Sequence, residues 1–155
     1  MKTFEELKED LLERAKKHHA CQDGYSMGLN AKSKQDLLKA ITDNWYWVLS
    51  TSKMIDANYL EKNFTEEELT EAGIYTRKEH TSNAKSFACG SATVKAYGSA
   101  TVEAYGSAKV EAYDNSYVED CTGNINTVSD HGIVKDYHNH KIYIKKGKFK
   151  IIEIE

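Results

Sequence analysis

The sequence predicts an α+β protein in which a small α-helical N-terminal domain is followed by a parallel β-solenoid of eight-residue repeats. An octad recurs almost unchanged at Gly90–Tyr97, Gly98–Tyr105 and Gly106–Tyr113, and a short fixed period is typical of stacked repeats. The residues before the repeat show capping motifs and apolar side chains at helical spacing. We therefore assign residues 1–78 to a helical domain, and residues 82–155 to a β-solenoid with a C-terminal capping strand.

The first and last parts of the helical domain each contain a helix-capping motif. Thr3 and Glu6 have the spacing of a capping box, and Thr65 and Glu68 repeat it. Gly73 follows where a C-terminal stop is expected. Behind the first box, apolar residues recur at helical spacing: Phe4, Leu7, Leu11 and Ala15. These signals predict a helix at each end of the domain.

Between these two ends the pattern changes twice. Gly24 and Gly28 are expected to break the helical pattern. A second helix is predicted to begin at Ser33, with an apolar stripe that continues as far as Leu49. A further short helix is predicted near residues 57–63. Because such helices are short, their apolar faces must pack against one another or against the solenoid.

Within each octad, apolar and polar positions alternate with the period of a strand. Positions three, five and seven hold alanine, valine and alanine, positions four and six hold threonine, lysine or glutamate, and Gly-Ser begins each copy. An antiparallel meander with two-residue turns would point the apolar side of every second strand the wrong way, which is costly when one face is buried. A solenoid keeps the same face inward through every corner and is therefore predicted.

The small inward residues favour a flattened coil with two octads per turn, with three per turn as the alternative. Two octads per turn would stack Tyr97 on Tyr113 and place Tyr105 in a column with Cys89 and Cys121. Three per turn would instead stack Tyr113 on Tyr137. The column in which each tyrosine lies therefore distinguishes the two coils.

In the same register, less perfect octads extend the repeat on both sides. They are 82–89, 114–121, 122–129, 130–137 and 138–145. An open solenoid end is a sheet edge that invites association, so we expect the helical domain to cover the first coil. The alternating, lysine-rich segment Lys141–Glu155 is expected to be either a protective cap or a dimerisation strand at the other end.

Composition excludes several classes of function. The formal net charge of the 155-residue chain is −3, too small to indicate nucleic-acid binding by bulk charge. We expect no secretory signal and no membrane span, because the sequence lacks the apolar runs that either requires. Cys21, Cys89 and Cys121 lack CxxC spacing, which favours reduced thiols in the cytoplasm. No cofactor is expected.

The Gly-Ser-Ala-x-Val-x-Ala-Tyr octads resemble short Ala/Val/Tyr-rich repeat proteins of bacteriophages and gut Bacteroidales, in which such strings follow a helical leader. The resemblance covers residues 82–137, and the stretches at 31–33 and 64–75 are similar in style to that leader. No activity is assigned to the family. The resemblance therefore implies a phage or mobile-element context and nothing catalytic.

Two groups of residues have side chains that could form a site. His131, His138 and His140 could hold Zn²⁺ if Cys121 or a carboxylate completed the ligands, but a solvated face is the preferred interpretation. Position six supplies an acidic column that could imitate a phosphate backbone: Glu103, Glu111 and Glu119. Lys95 and Lys109 interrupt this column, so nucleic-acid mimicry is not the preferred interpretation either.

Aromatic residues form the preferred candidate binding surface, because aromatics are enriched at interface hot spots. The candidates are Tyr97, Tyr105, Tyr113 and Trp47, together with the glutamates of position six. Trp45 and Trp47 cannot both face one core from the same helix. The basic C-terminal segment, with Tyr143 and Phe149, could contact single-stranded nucleic acid, but a charge-protected edge strand is preferred.

No catalytic constellation accompanies these residues. We therefore expect a non-enzymatic protein that binds a macromolecule, with an inhibitor of a host defence or nucleic-acid-handling protein as the specific expectation. A host protein is the expected partner, a homodimer through the C-terminal strand is possible, and nucleic acid and membrane are not expected partners. The alternative is a structural protein that assembles by stacking solenoid ends.

Overall fold

A computed structural model describes residues 1–124 and 127–155 and divides the chain into two compact units, Met1–Ile74 and Tyr75–Glu155. The first unit is helical and the second consists of strands, which confirms the predicted α+β class. The helices are α1 (Phe4–Lys17), α2 (Gln22–Asn30), α3 (Lys34–Asp43), a π-helical turn (Trp47–Thr51), α4 (Ala57–Asn63) and α5 (Glu66–Glu71).

Both predicted capping boxes are present. In α1 the Thr3 hydroxyl accepts from the Glu6 N–H at 3.3 Å, and the Glu6 carboxylate accepts from the Thr3 N–H at 2.9 Å. In α5 the same reciprocal pair joins Thr65 and Glu68 at 3.1 and 2.8 Å. Each box satisfies N–H groups that the first turn of a helix leaves without partners.

The prediction that Gly24 and Gly28 break the helical pattern is wrong, since both lie inside α2. The two glycines allow neighbouring helices to approach α2 closely. A Cβ at Gly28 would lie 3.3 Å from Leu12 Cδ2, and one at Gly24 would lie 3.3 Å from Asn44 Oδ1. Tertiary packing therefore offsets the poor helix propensity of glycine here.

The predicted continuous helix through Leu49 is also interrupted. The α3 helix ends at Asp43, and Asn44 is its C-cap. In the π-helical turn that follows, the Ser52 N–H donates to the Trp47 carbonyl at 2.8 Å, five residues back. The two tryptophans consequently differ in burial: Trp45 is fully buried, whereas Trp47 is half-buried.

The strands form two sheets. The six-stranded sheet has the order β1-β3-β5-β7-β9-β10 and the four-stranded sheet the order β2-β4-β6-β8. The strands are β1 (Ile74–Tyr75), β2 (Glu79–Ser82), β3 (Lys85–Ala88), β4 (Thr93–Ala96), β5 (Thr101–Ala104), β6 (Lys109–Ala112), β7 (Tyr117–Asp120), β8 (Thr127–Val128), β9 (Ile133–Asp136) and β10 (Lys141–Ile144). Successive octads alternate between the sheets, so that each coil has one strand in each.

The register confirms two octads per turn. Val94 of β4 pairs with Val110 of β6, and Val102 of β5 pairs with Val118 of β7, all in parallel. The rings of Tyr97 and Tyr113 stack with centroids 4.7 Å apart and planes 7° apart, as predicted for this coil. The antiparallel meander and the three-octad coil are therefore both excluded for these repeats.

The alternating triplets form the core of the solenoid. The inward residues of the three near-identical octads are all fully buried: Ala92, Val94, Ala96, Ala100, Val102, Ala104, Ala108, Val110 and Ala112. Position one turns the corner with a positive φ, which is +59° at Gly98 and +52° at Asp114. The Asp114 carboxylate also accepts from the Gly98 N–H at 2.8 Å and so links adjacent coils.

The repeat does not continue through the last predicted octad. Strand β10 runs antiparallel to β9, with Tyr143 opposite Val134, so residues 138–145 turn back rather than add a coil. The Asp136 side chain forms the turn by accepting from the N–H and the side-chain amide of Asn139, both at 2.8 Å. In the octad at 122–129, positions four and five are residues 125 and 126, which lie outside the described residues.

Candidate binding surface

The candidate glutamates of the solenoid lie on the outer faces of two different sheets. Glu103 and Glu119 are directly paired in the six-stranded sheet, whereas Glu111 lies in β6 of the four-stranded sheet, where it pairs with Lys95. The predicted acidic column is therefore wrong. With two octads per turn, only residues sixteen apart share a column, and Glu111 is eight residues from each of the others.

The outer face of the four-stranded sheet holds the stacked tyrosines. The Tyr113 hydroxyl donates to Glu111 Oε2 at 2.6 Å, and this bond raises the pKa of Tyr113 because the carboxylate favours the protonated phenol. The Lys95 ammonium lies 2.9 Å from Glu79 Oε1, and this contact raises the pKa of Lys95. Tyr97 is 36% exposed and Tyr113 is half-buried, so both rings of the stack are partly accessible.

Tyr105 does not belong to an exposed surface. Only 6% of it is accessible, and its backbone lies in the predicted column between Cys89 and Cys121. Burial raises the pKa of Tyr105, and its hydrogen bond with the Cys121 thiol raises it further. Burial likewise raises the pKa of Cys121. The Tyr105 side chain therefore packs within the solenoid rather than facing solvent.

Glu103 and Glu119 form a like-charged pair on adjacent strands. Directly opposed like charges destabilise a sheet. Burial raises the pKa of Glu103, with Lys85 opposing this effect and Glu119 adding to it. The Lys85 ammonium lies 3.5 Å from Glu103 Oε1. The lysines predicted to interrupt the acidic residues, Lys95 and Lys109, lie on the other sheet.

Six residues at the C-terminal end of the six-stranded sheet form a continuous outer surface, which we name the Tyr–Ile patch. They are Tyr117, Glu119, Ile133, Lys135, Tyr137 and Ile142. Register places Tyr117 beside Ile133, Glu119 beside Lys135, and Lys135 beside Ile142. The patch therefore spans β7, β9 and β10.

Polar contacts fix the aromatic side chains of the Tyr–Ile patch. The hydroxyls of Tyr117 and Tyr137 both donate to Glu119 Oε1, each at 3.2 Å. The Lys135 ammonium lies 4.6 Å from the centroid of the Tyr137 ring. Burial, and then the negative charge of Glu119, raise the pKa of Tyr117. Even so, Tyr137 is 40% exposed and Ile142 66% exposed.

Sequence reasoning selected Glu119 but missed the other five residues of the Tyr–Ile patch. An offset of sixteen would have found four of them. It places Tyr117 over Thr101, Ile133 over Tyr117, Lys135 over Glu119 and Tyr137 over Cys121. Ile142 could not be found in this way. Its place on the outer face depends on the reversal of β10, which a continued period of eight does not predict.

The histidine cluster is not assembled as a metal site. Within residues 1–124 and 127–155, no three His, Cys, Asp or Glu side chains lie close enough together to hold an ion. The His131 ring instead meets the Phe149 ring edge-on at 5.7 Å, and His138 lies against Gly123. Trp47 lies in the helical unit, where it lines a cavity.

Among the described residues, no helix combines the length and the hydropathy that a membrane span requires. Comparisons with protein-family models, with curated proteins and with solved structures find no match for this chain. The case for a function therefore depends on the geometry of the exposed surfaces.

Proposed function

We propose that this protein is a non-enzymatic binding protein and that the Tyr–Ile patch is its contact surface for another protein. The observation that carries this proposal is the exposure of Ile142 and Tyr137 beside an ordered network of hydroxyl and carboxylate groups. Exposed apolar side chains gathered in one place and surrounded by polar groups are typical of interaction sites.

The polar side chains of the Tyr–Ile patch hold one another in place, and this supports the proposed function. Two tyrosine hydroxyls share one oxygen of Glu119, and Lys135 lies over a tyrosine ring, so a partner would immobilise few freely rotating side chains. Less ordering on binding leaves more of the contact energy as affinity. Tyrosine is also enriched among interface hot spots.

A protein partner fits the charges of the patch better than nucleic acid does. The patch carries one carboxylate, Glu119, and one ammonium, Lys135. Proteins that bind single-stranded nucleic acid combine stacking aromatics with a positively charged groove, and here the carboxylate lies between the two tyrosines. This balance of charge favours a protein surface.

The likeness of the octads to phage and Bacteroidales repeat proteins supports a more specific proposal. The protein acts as a phage or mobile-element inhibitor that occupies a host defence or nucleic-acid-handling protein. Inhibition by occupation requires no catalytic group. It requires only a rigid surface that a host protein accepts.

Two matched substitutions test the proposed surface. Ile142→Glu places a charge in the Tyr–Ile patch, and Leu29→Glu makes the matching change at an exposed residue of α2, 50% against 66%, outside both the patch and the C-terminal segment. Tagged wild-type protein should retain one host protein from a Bacteroidales lysate. Ile142→Glu should lose that protein and Leu29→Glu should keep it, with thermal melts confirming that both variants fold.

The purified partner then gives a quantitative result. The affinity for Ile142→Glu should fall by about tenfold or more, because burying a charge without a partner costs over 1 kcal/mol. Equal affinity for both variants would contradict the proposed surface. Retention of nucleic acid in place of protein would contradict the proposed class of partner.

Self-assembly is the second candidate function, and a separate feature favours it. Ile151, Ile152 and Ile154 are 74%, 71% and 90% exposed, and they lie beyond β10 in a segment that forms no strand. Such β-prone, apolar segments pair readily with other chains. Growth of scattered light with protein concentration would favour assembly over inhibition.

A further inference from the structure

The helical unit contains a cavity of about 210 Å³ between α1, α2, α3 and the π-helical turn. Its wall is mostly apolar and includes Leu12, Tyr25, Gly28, Ile41, Asn44 and Trp47. Among the described residues that line it, none carries a charge. An engineered apolar cavity of about 150 Å³ is large enough to bind benzene, so this one has room for a single aromatic ring with a substituent.

The cavity exists because of two glycines on α2. Gly24 and Gly28 are one helical turn apart and both line it, so a larger side chain at either position would project towards the cavity. Each glycine destabilises a helix by about 1 kcal/mol relative to alanine. Close approach of Leu12 and Asn44 offsets this cost, and the same two glycines leave the cavity side of α2 without side chains at these positions.

The α2 helix is the wall of the cavity that contributes no fully buried residue, although residues 24–28 are half-buried. None of its nine residues, all within the described part of the chain, is buried. Helices shorter than about 12 residues depend on packing for their stability. A ligand that entered between α2 and the other helices would disturb half-buried residues only, whereas the opposite wall includes the buried residues Leu11, Leu37 and Ile41.

Asn44 supplies the directional polar group of the cavity. Its Nδ2 donates to the Ala40 carbonyl at 2.9 Å, which fixes the orientation of the amide. Its Oδ1 lies on the α2 side, 3.3 Å from the position of a Cβ on Gly24, and among the described residues no donor is bonded to it. A carbonyl oxygen in an apolar wall selects a ligand with one hydrogen-bond donor.

We propose that this cavity binds a compact, neutral aromatic molecule that carries one hydrogen-bond donor, with its ring against Trp47 and its donor on Asn44 Oδ1. The uncharged wall excludes ionic ligands, because an unpaired charge is costly to bury. Trp47 and Tyr25 provide aromatic surfaces against which a ring packs favourably. This site is independent of the Tyr–Ile patch.

Phenol and toluene are matched probes, since they have the same size and differ in the donor. Calorimetric titration of the full chain should give a Kd for phenol on the order of 0.1 to 1 mM, as expected for a ligand of this size. Asn44→Leu should lower the affinity for phenol by about tenfold, which is the usual contribution of one hydrogen bond. The affinity for toluene should not change.

Gly28→Leu tests the cavity itself. It should abolish binding of both probes, because the leucine side chain would project towards the cavity. The melting temperature should stay close to that of the wild type, because the better helix propensity of leucine offsets the small shift that Leu12, 3.3 Å from the new Cβ, must make. Gln22→Leu, on the same helix but exposed and outside the cavity, should bind phenol as the wild type does. This control separates filling of the cavity from a general change in α2.

Three results would overturn the proposal. The first is no heat of binding for phenol at any soluble concentration. The second is an equal loss of affinity for phenol and for toluene in Asn44→Leu, which would show that the amide does not select the ligand's hydrogen-bond donor. The third is a combination of two results: phenol does not bind the wild type, and a host protein that the wild type captures is not captured by Gly28→Leu. The cavity would then hold a side chain of a partner protein rather than a small molecule.

Discussion

Ser116 occupies octad position three, where the near-identical octads have Ala92, Ala100 and Ala108. It is 1% exposed, and its hydroxyl has no hydrogen-bond partner among the described residues. A buried hydroxyl without a partner costs about 1 to 3 kcal/mol. Serine at this position is therefore less favourable than alanine.

Ser116→Ala should raise the free energy of unfolding by about 1 kcal/mol. It removes the unpaired hydroxyl and leaves a side chain that three other octads already accommodate. Urea unfolding monitored by circular dichroism measures the change. Ser99→Ala, at an exposed corner position, should leave stability unchanged. A loss of stability in Ser116→Ala would show that the hydroxyl has a stabilising partner.

Gly132 also occupies octad position three, but replacing it with the consensus alanine should destabilise the protein. A Cβ at Gly132 would lie 2.8 Å from the Ala112 carbonyl oxygen, which is backbone and cannot move aside cheaply. Gly132→Ala should therefore lower the free energy of unfolding by about 1 to 3 kcal/mol, the range for overpacking. Urea unfolding again measures the free energy of unfolding. Unchanged stability would mean that the coils containing Gly132 and Ala112 can move apart to accommodate the added methyl group.

Within the strands, the buried side was easier to predict than the residues that end each strand. Val94 and Ala96 face inward because alternation alone determines which side of a strand is buried. Asp120 and Asp136 also face inward, at position seven, where alanine is the consensus, and alternation gives no reason for a carboxylate there. Each ends its strand by accepting a nearby N–H, from Thr122 and Asn139 respectively.

At the scale of elements, the hairpin of β9 and β10 depends on Asp136. Burial raises the pKa of this carboxyl, but hydrogen bonds from the side chain and N–H of Asn139 and from the N–H of His138 lower it below its ordinary value. A lowered pKa in the folded state means that the ionised form stabilises the fold. This contribution is present at neutral pH and is lost as the pH falls from about 4 through the lower folded pKa.

Asp136→Asn should therefore be less stable than the wild type at neutral pH and lose less stability on acidification. The difference between the two proteins should narrow as the pH falls below about 4. Urea unfolding at neutral and acidic pH measures it. A constant difference at both pH values would show that the Asp136 charge contributes nothing to the hairpin.

The elements that sequence reasoning missed are those in which tertiary structure overrides a local signal. Gly24 and Gly28 indicate a break by propensity, yet close approach to Leu12 and Asn44 places them in α2. Strand β10 continues the period of eight in sequence, but the Asp136 turn reverses its direction. The coil size was predictable because only a thin coil is filled by alanine and valine.

At the scale of the whole molecule, the exposed segment Lys148–Glu155 carries lysines at its start and glutamates at its end. Antiparallel pairing with a second copy would bring Lys148 and Lys150 near Glu153 and Glu155 of the other chain. Parallel pairing would align like charges, which is unfavourable. Exposed apolar residues without a strand partner are also suited to pairing between chains. We therefore expect an antiparallel homodimer through this segment.

Charge reversal tests this arrangement. Lys148→Glu with Lys150→Glu gives an all-acidic segment, and Glu153→Lys with Glu155→Lys gives an all-basic one. Each double variant alone should be monomeric by sedimentation velocity at concentrations where the wild type is dimeric, because its segments repel. An equimolar mixture should restore the dimer, since acidic and basic segments then attract along their whole length. Ile142→Glu, outside the segment, should dimerise as the wild type does. Monomeric wild type, or a mixture that stays monomeric, would exclude pairing through this segment.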